Sequence, residues 1–137
     1  MKFSNSQLNR FDKDYLTARV GLFVNQPVSI LECVLLKGDA SDRKYYRVTY
    51  QLNSSPARAL STIIMQLAKI EPKPDFNAMQ KFLKGQKIPV PDIFGFDAER
   101  GLIFLMDCGD THLADQIKND PKKTVHWYKK AINIIVD

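Results

Sequence analysis

The chain has 137 residues, with 20 Lys plus Arg against 15 Asp plus Glu, a formal net charge of +5. Apolar residues make up 45% and charged residues 26%, a balance that excludes a disordered chain and suits one folded domain. No apolar run approaches the roughly 18 residues of a membrane span, and Met1 to Arg10 is too polar for a secretion signal, so no membrane partner and a cytoplasmic location are expected.

From Gln7 to Phe23 the apolar residues Leu8, Phe11, Tyr15, Ala18 and Leu22 recur every three or four positions, which predicts a helix with that face buried. Pro27 breaks it. Ser29 to Lys37 is apolar and reads as a strand ending at Gly38. Lys44 to Gln51 alternates polar and apolar side chains, as a half-buried strand does. Asn53 to Pro56 is a turn signal, and Leu60 to Ala68 reads as a third strand. Asp75 caps a helix running to about Lys84, with Phe76, Met79, Phe82 and Leu83 on one face and Gly85 as its stop. Ile93 to Phe96 and Leu102 to Met106 form a hairpin around Glu99-Arg100-Gly101. Thr111 caps a short helix to Lys118, and Asp120-Pro121 opens a final one. The fold class is α+β, a five-stranded antiparallel sheet with a helix packed on it, plus N- and C-terminal helices.

Two cysteines, Cys33 and Cys108, are too few for a disulfide scaffold or a cysteine-based zinc site, and His112 and His126 lack ligands at metal spacing. The positive charge admits an anionic partner. No zinc finger, RNP-type motif or helix-turn-helix accompanies it, so nucleic acid is not the expected partner.

The most informative stretch is Leu35-Leu36-Lys37-Gly38-Asp39-Ala40-Ser41-Asp42-Arg43-Lys44-Tyr45-Tyr46-Arg47-Val48. Small residues at a hairpin tip let backbone N–H groups approach an anion, Ser41 adds a hydroxyl, and Arg43 and Lys44 add charge. A plain turn accounts for the same residues.

The order of elements adds a second signal: glycine hairpin, third strand, helix, then two strands ending in Met106-Asp107-Cys108-Gly109-Asp110. Together GDASDRKYYRV, the methionine of IIMQLA and IPVPDIFGFDAERGLIFLMDCGD resemble the N-terminal lobe of aminoglycoside-phosphotransferase-type small-molecule kinases, which are protein-kinase-like. The likeness is nearest to the bacterial kinases that phosphorylate N-acetylmuramate and N-acetylglucosamine at the anomeric hydroxyl. It covers about Leu35 to Asp115.

The resemblance implies a nucleotide site built from two segments. Gly38, Asp39, Ala40, Ser41, Asp42 and Arg43 would cover the phosphates of ATP. Leu105 would back the adenine pocket, with Val48, Ile63 and Met65 in its walls. Met106, Asp107 and Cys108 would offer backbone groups to the adenine edge, and Gly109 would let the chain turn away. It further implies ATP and Mg²⁺ as cofactors and a sugar acceptor, in recycling of cell-wall sugars. Other small hydroxyl substrates (an aminoglycoside, a choline-like alcohol) remain open, and oligomeric state is not specified. The implied organisation is a helical segment over 1–28, a nucleotide-binding lobe over 29–108, and over 109–137 the exit of the connector with the first helices of a second lobe.

The chain departs from the wider kinase pattern. Met65 stands where a phosphate-pairing lysine is usual, Lys69 lies four residues on, and the helix over 75–84 has no glutamate to hold a lysine. The Asp that activates the acceptor and the ligands of Mg²⁺ have no counterpart. His112 to Asp115 imitates a catalytic loop, but its spacing is wrong and it falls on a predicted helix, and Asp75-Phe76-Asn77 imitates a metal-binding motif that capping explains better. The apolar stripe of Ala131 to Val136 stops in mid-pattern. The expected protein is therefore the nucleotide-binding piece of a longer kinase, inactive in transfer by itself. The alternative is a kinase-like binding module without chemistry.

Overall fold

The structure is a computed structural model that describes residues 10–38 and 42–136. The chain runs α1 (Lys13–Val24), β1 (Val28–Leu35), β2 (Lys44–Leu52), β3 (Ser55–Gln66), α2 (Asp75–Gly85), β4 (Ile93–Asp97), β5 (Leu102–Met106), α3 (Leu113–Asn119), a 3-10 turn (Pro121–Lys123) and α4 (Thr124–Val136). The strands form one sheet in the order β1-β2-β3-β5-β4, with every neighbouring pair antiparallel. The expected α+β class and five-stranded antiparallel sheet are met. The part of the N-terminal pattern at Gln7 and Leu8 lies outside the described residues.

Strand alternation sorts side chains onto two faces. On one face Val28, Ile30 and Cys33 of β1, Tyr46, Val48 and Tyr50 of β2, Ile64 of β3, and Leu102 and Phe104 of β5 join Phe11, Leu16 and Val20 in one buried cluster. Burying side chains of this size contributes roughly 1.5–3 kcal/mol each. A bulge in β1 between Ile30 and Glu32 keeps Cys33 on the same face as Val28 and Ile30. Phe11 meets the Tyr46 ring edge-on, with centroids 5.1 Å apart.

The helix begins later than its periodicity predicts. Asp12 is the cap, its carboxylate accepting the Tyr15 N–H at 2.8 Å, so Phe11 precedes the helix. The buried face is Leu16 and Val20 with Phe23 and Val24 partly covered, whereas Ala18 and Leu22 are exposed. Two apolar stripes compete in this helix, and the one carrying the branched aliphatics meets the sheet. Asn25 ends the helix in the left-handed conformation, φ 57°, that asparagine tolerates.

The third strand starts five residues before its expected Leu60. Pro56 is accommodated because pairing with β2 shifts register between Gln51 and Leu52, and because β5 pairs only with residues 62–66 of β3.

The chain forms two compact units, one holding α1 and the five strands, the other α2, α3, the 3-10 turn and α4. This division differs from 1–28, 29–108 and 109–137. The first helix shares the sheet's core, so it is not a separate segment. The helix seen packed on the sheet is α1. Segment 75–90, set off by Pro72, Pro74, Pro89 and Pro91, groups with the C-terminal helices, and α2 has no buried residue. In the second unit His112 rather than Thr111 caps α3, with the Asp115 carboxylate accepting the His112 N–H at 2.9 Å. Pro121 opens the 3-10 turn, and α4 follows from Thr124. Among the described residues no helix is long and apolar enough to cross a membrane.

Candidate functional site

The sequence points to two segments, 38–43 and 106–109. Leu36 N–H donates to the Tyr45 carbonyl at 2.8 Å and closes the neck of the β1–β2 hairpin. A Cβ on Gly38 would stand 4.0 Å from the Arg43 carbonyl, so the two ends of the loop face each other. Asp39, Ala40 and Ser41 lie outside the described residues. Asp42 is exposed and Arg43 half-buried.

Register fixes where these ends stand relative to the end of β5. Lys44, Gln66 and Leu102 form one row across the sheet, and Val48, Thr62 and Met106 another. The hairpin loop thus leaves the sheet at the end where β5 begins. Met106 lies two strands over, level with a position four residues further along β2, or roughly 13 Å at about 3.3 Å per residue.

The expected wall residues do not share a face. Ile63, Met65 and Leu105 alternate away from α1 and are buried. Val48 is fully buried in the α1 cluster on the opposite face, which corrects its expected place beside them. The β1 and β2 residues on the face of Ile63 are Val34 and Arg47, paired with each other and level with Ile63. Val34 is 42% exposed there. Met65, in the lysine's place, is 0% exposed. Lys69 lies beyond the end of β3 and is exposed.

The end of β5 is held on three sides. Met106 N–H donates to the Asp92 carbonyl at 2.9 Å, so that group is engaged rather than offered to a base. Thr62 Oγ donates to the Leu105 carbonyl at 2.8 Å. Just past the strand, Asp107 receives Arg47 Nε at 2.8 Å on one oxygen and Arg47 Nη2 at 3.1 Å on the other, and Ser61 Oγ donates to it at 2.7 Å. Sequence reasoning missed Arg47 and Ser61. The alternation of Lys44 to Gln51 was a usable signal, because it puts Arg47 on the face away from Tyr46 and Val48. Cys108 and Gly109 belong to the second unit, both exposed, with Gly109 at φ 83°. That left-handed φ suits the expected turn of the chain.

A second carboxylate is buried in the first unit. Asp97 is 6% exposed and accepts the Tyr15 hydroxyl at 2.7 Å, Arg19 Nη2 at 3.0 Å, and the N–H groups of Glu99 and Arg100 at 3.1 Å each. Burial works against its charge, but the Tyr15 and backbone hydrogen bonds and Arg19 outweigh it and hold Asp97 below the usual carboxylate range. Burial and the Asp97 contact push the Tyr15 phenol above its ordinary value. Burial, then Glu32, push the Cys33 thiol up to about 11, so it is unreactive at neutral pH.

No group of three His, Cys, Asp or Glu among the described residues is placed to hold a metal ion. Compared with family models, curated proteins and solved structures, the chain matches none.

Proposed function

We propose that this chain is the nucleotide-binding lobe of a small-molecule phosphotransferase, with the hydroxyl of an N-acetylated amino sugar as the acceptor class. The reading is supported above all by connectivity. A hairpin bearing the Gly38–Arg43 loop, a third strand and a helix precede a strand, β5, that lies beside β3 and ends at Met106, just before Asp107. The loop would lie over the phosphates of Mg·ATP, and Asp107 to Gly109 would meet the base. Leu105 and Ile63 back the far face of the sheet between them. Met65 cannot pair with phosphate, so Arg43 and the nucleotide's own Mg²⁺ would balance that charge.

Isothermal titration with Mg·ATP tests the reading. Saturable binding is expected, with no phosphorylation of N-acetylmuramate by this chain in a coupled ADP assay. Absence of saturable binding overturns it. The second reading, a kinase-like module without nucleotide, is favoured by one observation: Met65, Ile63 and Leu105 are all buried. The same titration separates the two.

A further inference from the structure

Resting on the nucleotide reading, we infer that Arg47 and Ser61 are positioning residues that act through Asp107 to hold the backbone at the end of β5 in the geometry that meets the base.

Asp107 is the first residue beyond β5, and the paired register of β5 with β3 ends at Thr62 and Met106. Its side chain supplies what the ladder no longer does. The Arg47 fork bonds both carboxylate oxygens, at 2.8 and 3.1 Å, and a two-point planar contact fixes orientation as well as distance. Ser61 adds a third bond from the strand in between, so β2 and β3 both grip one residue. The two charged side chains are only 22% and 11% exposed, so solvent screens the pair less than a surface ion pair.

The neighbours of Arg47 across the sheet in its own row are Val34 and Ile63, both apolar. An arginine in that row needs an anion. Asp107 takes its Nε and Nη2. Two residues after the gripped Asp107, Gly109 takes a left-handed φ of 83°. A loosened clamp would therefore blur the backbone at Asp107.

The test titrates wild type, Arg47→Ala and Asp107→Ala with two probes, Mg·ATP and Mg·tripolyphosphate, the second lacking a base. Circular dichroism melts establish that each variant is folded at the working temperature. Both substitutions are expected to weaken ATP about tenfold and to leave tripolyphosphate within about twofold. Arg47→Lys, which keeps the charge without the fork, and Ser61→Ala, which keeps the ion pair, carry the test should the alanine variants not fold. Each is expected to weaken ATP by about threefold with tripolyphosphate unchanged. Folded variants that hold ATP as tightly as wild type, or that lose both probes equally, overturn the inference and leave the nucleotide reading standing. A wild-type chain that takes up neither probe overturns that reading, and the inference with it.

Discussion

The β4–β5 hairpin has one carboxylate at its turn and another just past its exit, and the two do different work. Asp97 closes β4 and gathers groups from α1 and from its own turn: Tyr15, Arg19 and the Glu99 and Arg100 amides. Asp107 follows β5 and is gripped by Arg47 of β2 and Ser61 of β3. The first ties the N-terminal helix to the sheet, with the Arg100 guanidinium 4.1 Å over the Tyr15 ring as a further contact. The second ties down a segment that has left the sheet. A buried carboxylate with four hydrogen-bond donors is part of the fold, while the other anchors the first residue beyond β5.

Removing each carboxylate breaks or sharpens this contrast. Asp97→Ala leaves a half-buried phenol hydroxyl, an arginine and two amides without their shared acceptor. It is expected to cost about 3 kcal/mol in urea unfolding, clearly more than Asp107→Ala. Equal costs would erase the distinction. The pH dependence follows from the same site. Asp97 has a lowered folded pKa, so its contribution is present above the ordinary carboxylate value of about 4 and is lost as pH falls through the folded value. Tyr15 has a raised folded pKa, so its contribution is complete below about pH 10 and is lost as pH rises beyond that. Denaturation midpoints should therefore fall at both extremes. Asp97→Asn should flatten the acid limb and Tyr15→Phe the alkaline limb, and limbs that match wild type would remove Asp97 from this role.

The smallest expected effect lies at the turn that Asp97 organises. Gly101 sits at φ 64°, and an added Cβ would come within 3.1 Å of Ile70 Cγ1 and 3.2 Å of Arg10 Nη1. Gly101→Ala should cost about 1–2 kcal/mol, from the left-handed backbone and the crowding together. A neutral outcome in the same unfolding assay would mean the turn relaxes without Asp97 noticing.

What was legible in the sequence is what local chemistry decides. Leu102 to Met106 is a strand with the boundaries its composition implies, and β2, β4 and α2 fall within a residue or so of theirs. The first helix was harder, because Leu8, Phe11, Tyr15, Ala18 and Leu22 compete with Leu16, Val20 and Phe23, and only the sheet decides between the stripes. Val48 shows the limit most clearly. A likeness between families assigned it to the pocket wall, yet the alternation of its own strand puts it beside Tyr46 and Tyr50, under α1. Arg47 and Asp107 are 60 residues apart, and their meeting depends on register across three strands, which no local pattern encodes.

Amide NMR of the labelled chain during a Mg·ATP titration is the most direct test of the central claim. Saturable shifts should gather at Gly38, Asp42 and Arg43 and at Asp107 to Gly109, with α1 and the Asp97 turn unmoved. Shifts that never saturate, or that collect on α1 and the β4–β5 turn instead, would contradict it.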